Sequence, residues 1–193
     1  MELVVDNRII LALAEVAGKD IEKGLNYIFV FGKEGESPVF FASDGNIALK
    51  VYPAQGDFNF EGDFVLQIPI LLKKVLKYNK KEENHLMNAT IFKNAGDKVE
   101  AHFYNEAPFV LNFNQPEAPK FEKMPDVWGV EVKEQGAIAF NPMLANKLGK
   151  ALVRLGFPSM QTFLLGGHKM NGTKRNEEFI AEYILMGGRT DEE

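Results

Sequence analysis

Two stretches of the chain follow one pattern, and together they narrow the folds open to it. Phe64 to Lys81 and Ala137 to Arg154 each begin as a short apolar run, meet a proline (Pro69, Pro142) and continue into a helix-like segment carrying cations. Counted from the proline, both have a cation at the fifth, eighth and twelfth positions: Lys74, Lys77 and Lys81, then Lys147, Lys150 and Arg154. At about 100° per residue those positions share one narrow stripe of a helix. Leu71, Val75 and Tyr78, matched by Leu144, Leu148 and Ala151, form a separate apolar stripe. One side can therefore be buried while another presents positive charge. An internal repeat of this kind implies stacked equivalent units with their helices on one side of a sheet.

The flanking segments extend the repeat. Asp6 is placed to cap a helix from about Asn7 to Gly18, with Ile9, Ile10, Leu13, Val16 and Ala17 on its apolar side. Strands are expected at Tyr27–Phe31, Val39–Ala42 and Ile47–Tyr52, with a tight turn at Ser43–Asn46 in which Asp44 reads as a turn residue. A strand at 63–68 and a helix at 69–81 follow, then strands at Ala89–Lys93, Val99–Tyr104 and Phe109–Phe113. Gln115 to Val127 holds Pro116, Pro119 and Pro125 and reads as an extended connector. Beyond it the spacing predicts a strand at 137–141, a helix at 142–155, strands at Gln161–Leu165 and Phe179–Met186, and a polar loop over Gly166–Glu178. With a short strand at Leu3–Val5, the chain reads as α+β, built from three βαβββ units.

Charge sharpens the pattern. Residues 69–81 hold five lysines and no acid, and 142–156 hold two lysines and an arginine; with a total of −5, the rest of the chain stands at −13. A lone lysine stripe is ordinarily the solvated side of an amphipathic helix, and such stripes usually mix signs. Two purely cationic stripes in matched register point instead to a phosphate-facing surface. Lysine suits contact that follows a backbone without reading bases, and with Tyr78 the one aromatic nearby, duplex fits better than stacked single strand.

Several classes are disfavoured. No Gly-rich phosphate loop, nucleophile elbow, zinc-protease motif or cysteine nucleophile is present. His85, His102 and His168 stand in separate segments, and no acidic spacing marks a metal site, so neither an enzyme, a metal nor a cofactor is expected. The absence of cysteine fits a reducing compartment. The amino terminus lacks the basic start of a signal peptide, and no apolar run approaches the ~18 residues of a membrane span. The reading is a soluble, cytoplasmic protein with no membrane partner.

Four segments resemble the DNA polymerase processivity clamps, specifically the bacterial β-clamp. Val39–Lys50 resembles that family's strand–turn–strand around Ala-Thr-Asp-Gly. Phe64–Leu76 and Ile138–Leu152 resemble its strand-plus-helix units, and Ala107–Phe113 with Pro116–Pro125 resembles the strand leading into its connector. Phe179–Met186 resembles its closing strand. The resemblance implies a ring whose sheets form the outside and whose basic helices line a hole threaded by duplex DNA, with replication proteins docking by short peptides. A β-clamp subunit has six such units and closes as a dimer; this chain has about three, so four copies would supply the same twelve, and a trimer or a non-ring monomer is equally open. The domain reading is a clamp domain at 1–118 and a half domain at 119–193. Duplex-facing candidates are Lys73, Lys74, Lys77, Lys80, Lys81, Lys147, Lys150 and Arg154, with Arg8 added, and Met186 is the candidate for peptide docking. Expected partners are duplex DNA, a polymerase or other replication protein, and further copies of the chain. Asn46-Ile47 stands where the family has His-Arg, and a tail follows Met186. The alternative is a clamp-fold adaptor or inhibitor that forms no ring and binds replication proteins rather than DNA.

Overall fold

The structure, a computed structural model, describes residues 2–19, 25–56, 58–68, 89–95, 98–103, 107–112, 140–158, 164–166 and 169–186. Strand β1 (Glu2–Asp6) leads into helix α1 (Asn7–Val16), followed by β2 (Tyr27–Gly32), β3 (Val39–Ser43) and β4 (Ile47–Pro53). This first unit is βαβββ, as its sequence reads. β5 (Gly62–Gln67) opens the second unit, which ends in β6 (Ala89–Asn94), β7 (Lys98–His102) and β8 (Phe109–Asn112). The helix expected at 69–81, with Lys73, Lys74, Lys77, Lys80 and Lys81, lies outside the described residues, as does the connector at 115–127. The third unit contributes α2 (Pro142–Arg154), β9 (Leu164–Gly166), β10 (Lys169–Arg175) and β11 (Phe179–Met186).

Among the described residues every strand pair is antiparallel, and the strands form two sheets of order β1-β6-β7-β8 and β5-β2-β3-β4-β11-β10-β9. The first two units exchange their opening strands: β1 joins β6, and β5 joins β2. The third unit extends the sheet of the first, with β11 on β4 from Phe179 opposite Pro53 to Leu185 opposite Ile47. The boundary expected at residue 118 falls outside the described residues. Among the described residues the βαβββ order is complete in the first unit, within a mixed arrangement of helices and antiparallel sheets.

Two expectations require correction. Residues 169–175 form β10 rather than part of a polar loop. Lys-Met-Asn-Gly-Thr-Lys-Arg carries a single β-branched residue, but its backbone pairs with β11 along its full length, Lys169 opposite Met186 through Arg175 opposite Ile180. Backbone pairing outweighs weak propensity here. Phe140 and Asn141, expected to close a strand, lie outside regular structure, because Asn141 caps α2.

Alternation divides β2, β3, β4, β5 and β11 of the larger sheet between two apolar clusters. Ile28, Val30, Phe40, Leu49, Val51, Phe64 and Leu66 face α1 and the main core. Tyr27, Phe29, Phe41, Val65 and Ile184 form a second buried cluster on the opposite face. Asn7, Ile9, Ile10, Leu11, Ala12, Leu13 and Val16 of α1 are all buried, which makes it a core helix rather than a surface one.

Both described helices have chemically definite ends. The Asp6 carboxylate accepts from the Arg8 backbone N–H at 2.8 Å. Asn141 does the same for Met143 at 2.9 Å, and Pro142 opens α2 where no N–H is needed. Past Leu155, Gly156 takes φ +78°, its N–H reaching the Val153 carbonyl while that of Phe157 reaches Leu152, both at 3.0 Å. This is the Schellman ending, and the buried pair Phe157 and Leu152 supplies its apolar contact. Among the described residues, no helix is long and apolar enough to cross a membrane.

Candidate nucleic-acid interface

Leu148, Ala151 and Leu152 are the buried stripe of α2, and the helix packs on α1. Leu148 and Ala151 belong to the apolar stripe expected from the repeat; Leu144, its third member, is half-buried against the core. That anchoring turns Lys147, Lys150 and Arg154 away from the core.

The three cations meet different surroundings. Lys147 Nζ lies 2.9 Å from Asp44 Oδ2, and Asp44 is largely buried with 9% of its side chain exposed. The other oxygen, Oδ1, accepts from the N–H groups of Asn46 and Ile47, both at 2.9 Å. Asp44 is thus the turn residue its sequence suggests, and it also fastens the turn to α2. Arg154 donates through Nε and a terminal nitrogen to Glu15 Oε1 of α1 at 2.9 and 2.5 Å. Lys150 lies one turn before Arg154 and is exposed, with no ion pair among the described residues. Between the helices runs a groove of about 520 Å³ lined by Glu15, Ala145, Asn146, Gly149, Lys150 and Arg154. Partly exposed ion pairs are worth only about 0–1 kcal/mol, so the Arg154–Glu15 fastener is weak enough to exchange partners.

Arg8 stands elsewhere. Its guanidinium donates to both Asp6 oxygens and to both Glu178 oxygens, the latter at 2.7 and 2.9 Å, and lies 4.8 Å from the centre of the Phe179 ring. Its hydrogen bonds to Glu178, then to Asp6, hold Arg8 above its ordinary pKa, while Arg8 draws Glu178 below the usual glutamate value. The cleft that Arg8 lines, with Glu2, Val4, Phe58 and Glu177, is separate from the α1–α2 groove. Met186 ends β11, where its N–H reaches the Asn46 carbonyl at 2.8 Å, and it packs partly buried against the second cluster. His102 contacts Glu100 at 3.0 Å on β7; His85 and His168 lie outside the described residues. Among the described residues, no group of His, Asp and Glu could hold a metal.

The roles of Glu15 and Asp44 toward α2 escape sequence reasoning. Within α2 the stripe is purely cationic, and its counter-charges come from residues 139 and 103 positions away.

The geometry defines a class: a protein of the DNA-clamp fold. Among solved structures the chain is similar to the β subunit of DNA polymerase III from Thermotoga maritima, with a TM-score of 0.64 and 13% identity. It is similar also to the Helicobacter pylori β clamp bound to a DNA ligase peptide, at 0.59 and 14%, and to the DNA polymerase III subunit β of Pseudomonas aeruginosa, at 0.62 and 10%. Each match covers 100% of this chain; it covers 65%, 68% and 66% of those proteins respectively. The chain therefore spans about two thirds of the clamps it matches. No protein-family model matches the sequence, and no curated protein matches it.

Proposed function

We propose that this chain is a non-enzymatic sliding-clamp-like protein that holds duplex DNA, without regard to sequence, against the basic sides of its helices. In this reading it works in the cytoplasm and tethers a polymerase or another replication protein through short peptides, near the β11 end at Met186. It acts as a homo-oligomer, each copy bringing two units within residues 1–118 and a third within 119–193. The observation that carries the reading is the cationic side of α2 on a clamp fold, with Lys147, Lys150 and Arg154 away from the core. Lys73, Lys74, Lys77, Lys80 and Lys81 are proposed to do the same on the preceding repeat, and Arg8 is a lesser candidate because two carboxylates already engage it.

Retention on DNA topology tests the proposal. A ring is held on closed circular duplex and runs off linear ends, whereas an ordinary electrostatic binder does not distinguish them. The variant carrying Lys74→Glu, Lys77→Glu, Lys147→Glu and Lys150→Glu is expected to lose retention on circles while keeping its circular-dichroism spectrum. Because Lys147→Glu sets like charge beside Asp44, Lys150→Glu alone is the companion, with a partial loss expected. Undiminished retention in both variants rules out the assignment of these cations.

A further inference from the structure

The α1–α2 groove contains cations and an acid side by side, and the acid is already engaged. Glu15 holds Arg154 through two hydrogen bonds at 2.9 and 2.5 Å, while exposed Lys150 lines the same groove with Asn146 beside it. Asn146, Lys150 and Arg154 are spaced four residues apart and so form one row along α2. Ala145 and Gly149 line the groove with little side-chain bulk, which permits close approach of a ligand backbone.

We propose that this groove is a phosphate seat with a built-in counter-ion, in which Glu15 withholds Arg154 so that a phosphodiester is gripped by Lys150 and Asn146. The inference rests on the duplex-binding reading above and assigns Glu15 as the residue that sets the strength of that grip. Each phosphate neutralised by a cation releases condensed counterions and strengthens binding steeply at low salt. A clamp retained by its topology gains nothing from a tight grip, since every strong phosphate contact must be broken for each step along the duplex. An acid that neutralises one of the row's two cations is the direct way to keep the contact weak. The same acid fastens α1 to α2, so the arrangement also holds the groove's two walls together.

The test compares the full-length chain with E15Q, R154Q and the double variant, measuring the affinity for duplex oligonucleotide across a salt series. Removing the Glu15 charge frees Arg154, so E15Q is expected to bind more tightly, its log–log salt slope steepened by about 0.9, the value of one added phosphate contact. R154Q uncovers the Glu15 carboxylate beside Lys150 and is expected to flatten the slope, whereas the double variant, whose pair is neutral as in the wild type, is expected to keep the wild-type slope. Thermal melting of each variant establishes that folding is intact. A slope for E15Q equal to or shallower than that of wild type overturns the inference. So does a loss of about 0.9 in the double variant, which would mean that Arg154 already grips phosphate in the wild type. A wild-type chain with no affinity for duplex overturns the duplex-binding reading together with this one, whereas a wild type that binds with E15Q unchanged overturns only the role of Glu15.

Discussion

At the scale of single residues, short-range chemistry explains most of what the structure shows. Asp6 and Asp44 behave as local sequence suggests, one capping α1 and the other closing the turn before β4. Their long-range roles follow from no local rule. Asp6 also receives the Arg8 guanidinium, which extends to Glu178 at the β10–β11 turn, 170 residues away. Arg8 keeps the Glu178 carboxyl below its ordinary value of 4.5, so the sign of the pH effect is fixed. A carboxylate depressed in the folded state contributes stability above its unfolded pKa, and the contribution disappears as pH falls through the folded value. Glu178→Gln should therefore lower the melting temperature slightly at pH 7, and the difference from wild type should close as the pH is taken below about 4. A difference unchanged between pH 7 and pH 3 would show that the contact contributes nothing through charge. The side chain is largely exposed, so the effect is small.

Elements were legible where their pattern is internal and hidden where a partner makes them. The amphipathic repeat of α2 is visible in its own sequence, and its buried residues Leu148 and Ala151 are the ones the periodicity selects. β10 carries no such pattern: its strand character comes from β11 on one side and β9 on the other. The candidate interface divides the same way. The cations could be read from spacing, but the acids that restrain two of them could not, because Glu15 and Asp44 meet α2 only in the folded chain. On α2 the two faces should also respond differently to substitution. Leu152 is fully buried and closes the helix against Phe157, so Leu152→Ala should cost about 2–5 kcal/mol through lost burial and the cavity left behind. Lys150→Ala, on an exposed site of the same helix, should change stability by no more than about 0.5 kcal/mol. Chemical denaturation of the two variants measures both, and equal losses would contradict the assignment of buried and outward faces.

For the molecule as a whole, the connection between the first and third units decides how it behaves mechanically. Strand exchange between the first two units makes each incomplete without the other, since β1 lies in one sheet and β5 in the other. The third unit joins by two routes, the β4–β11 ladder and the packing of α2 on α1. Phe179, Ala181, Tyr183 and Leu185 of β11 enter the same apolar cluster as Leu49, Val51 and α1, so this junction is continuous core rather than a polar seam. A half domain attached only by a strand ladder would open by itself, because a sheet edge with few buried side chains lies at the low end of local stability. Shared core predicts the contrary. In native-state hydrogen exchange, the backbone amides that β11 pairs with β4 and those of central α2 should exchange with the same free energy, and the same denaturant dependence, as those of β2 and β3. A separate, lower-energy opening confined to residues 142–186 would overturn this and make the third unit an independently hinged arm. Under the proposed duplex-binding function the two outcomes have different consequences. A rigid junction keeps Lys150 and the α1–α2 groove at a fixed angle to the first unit, whereas a hinged arm would let the interface open with each local fluctuation.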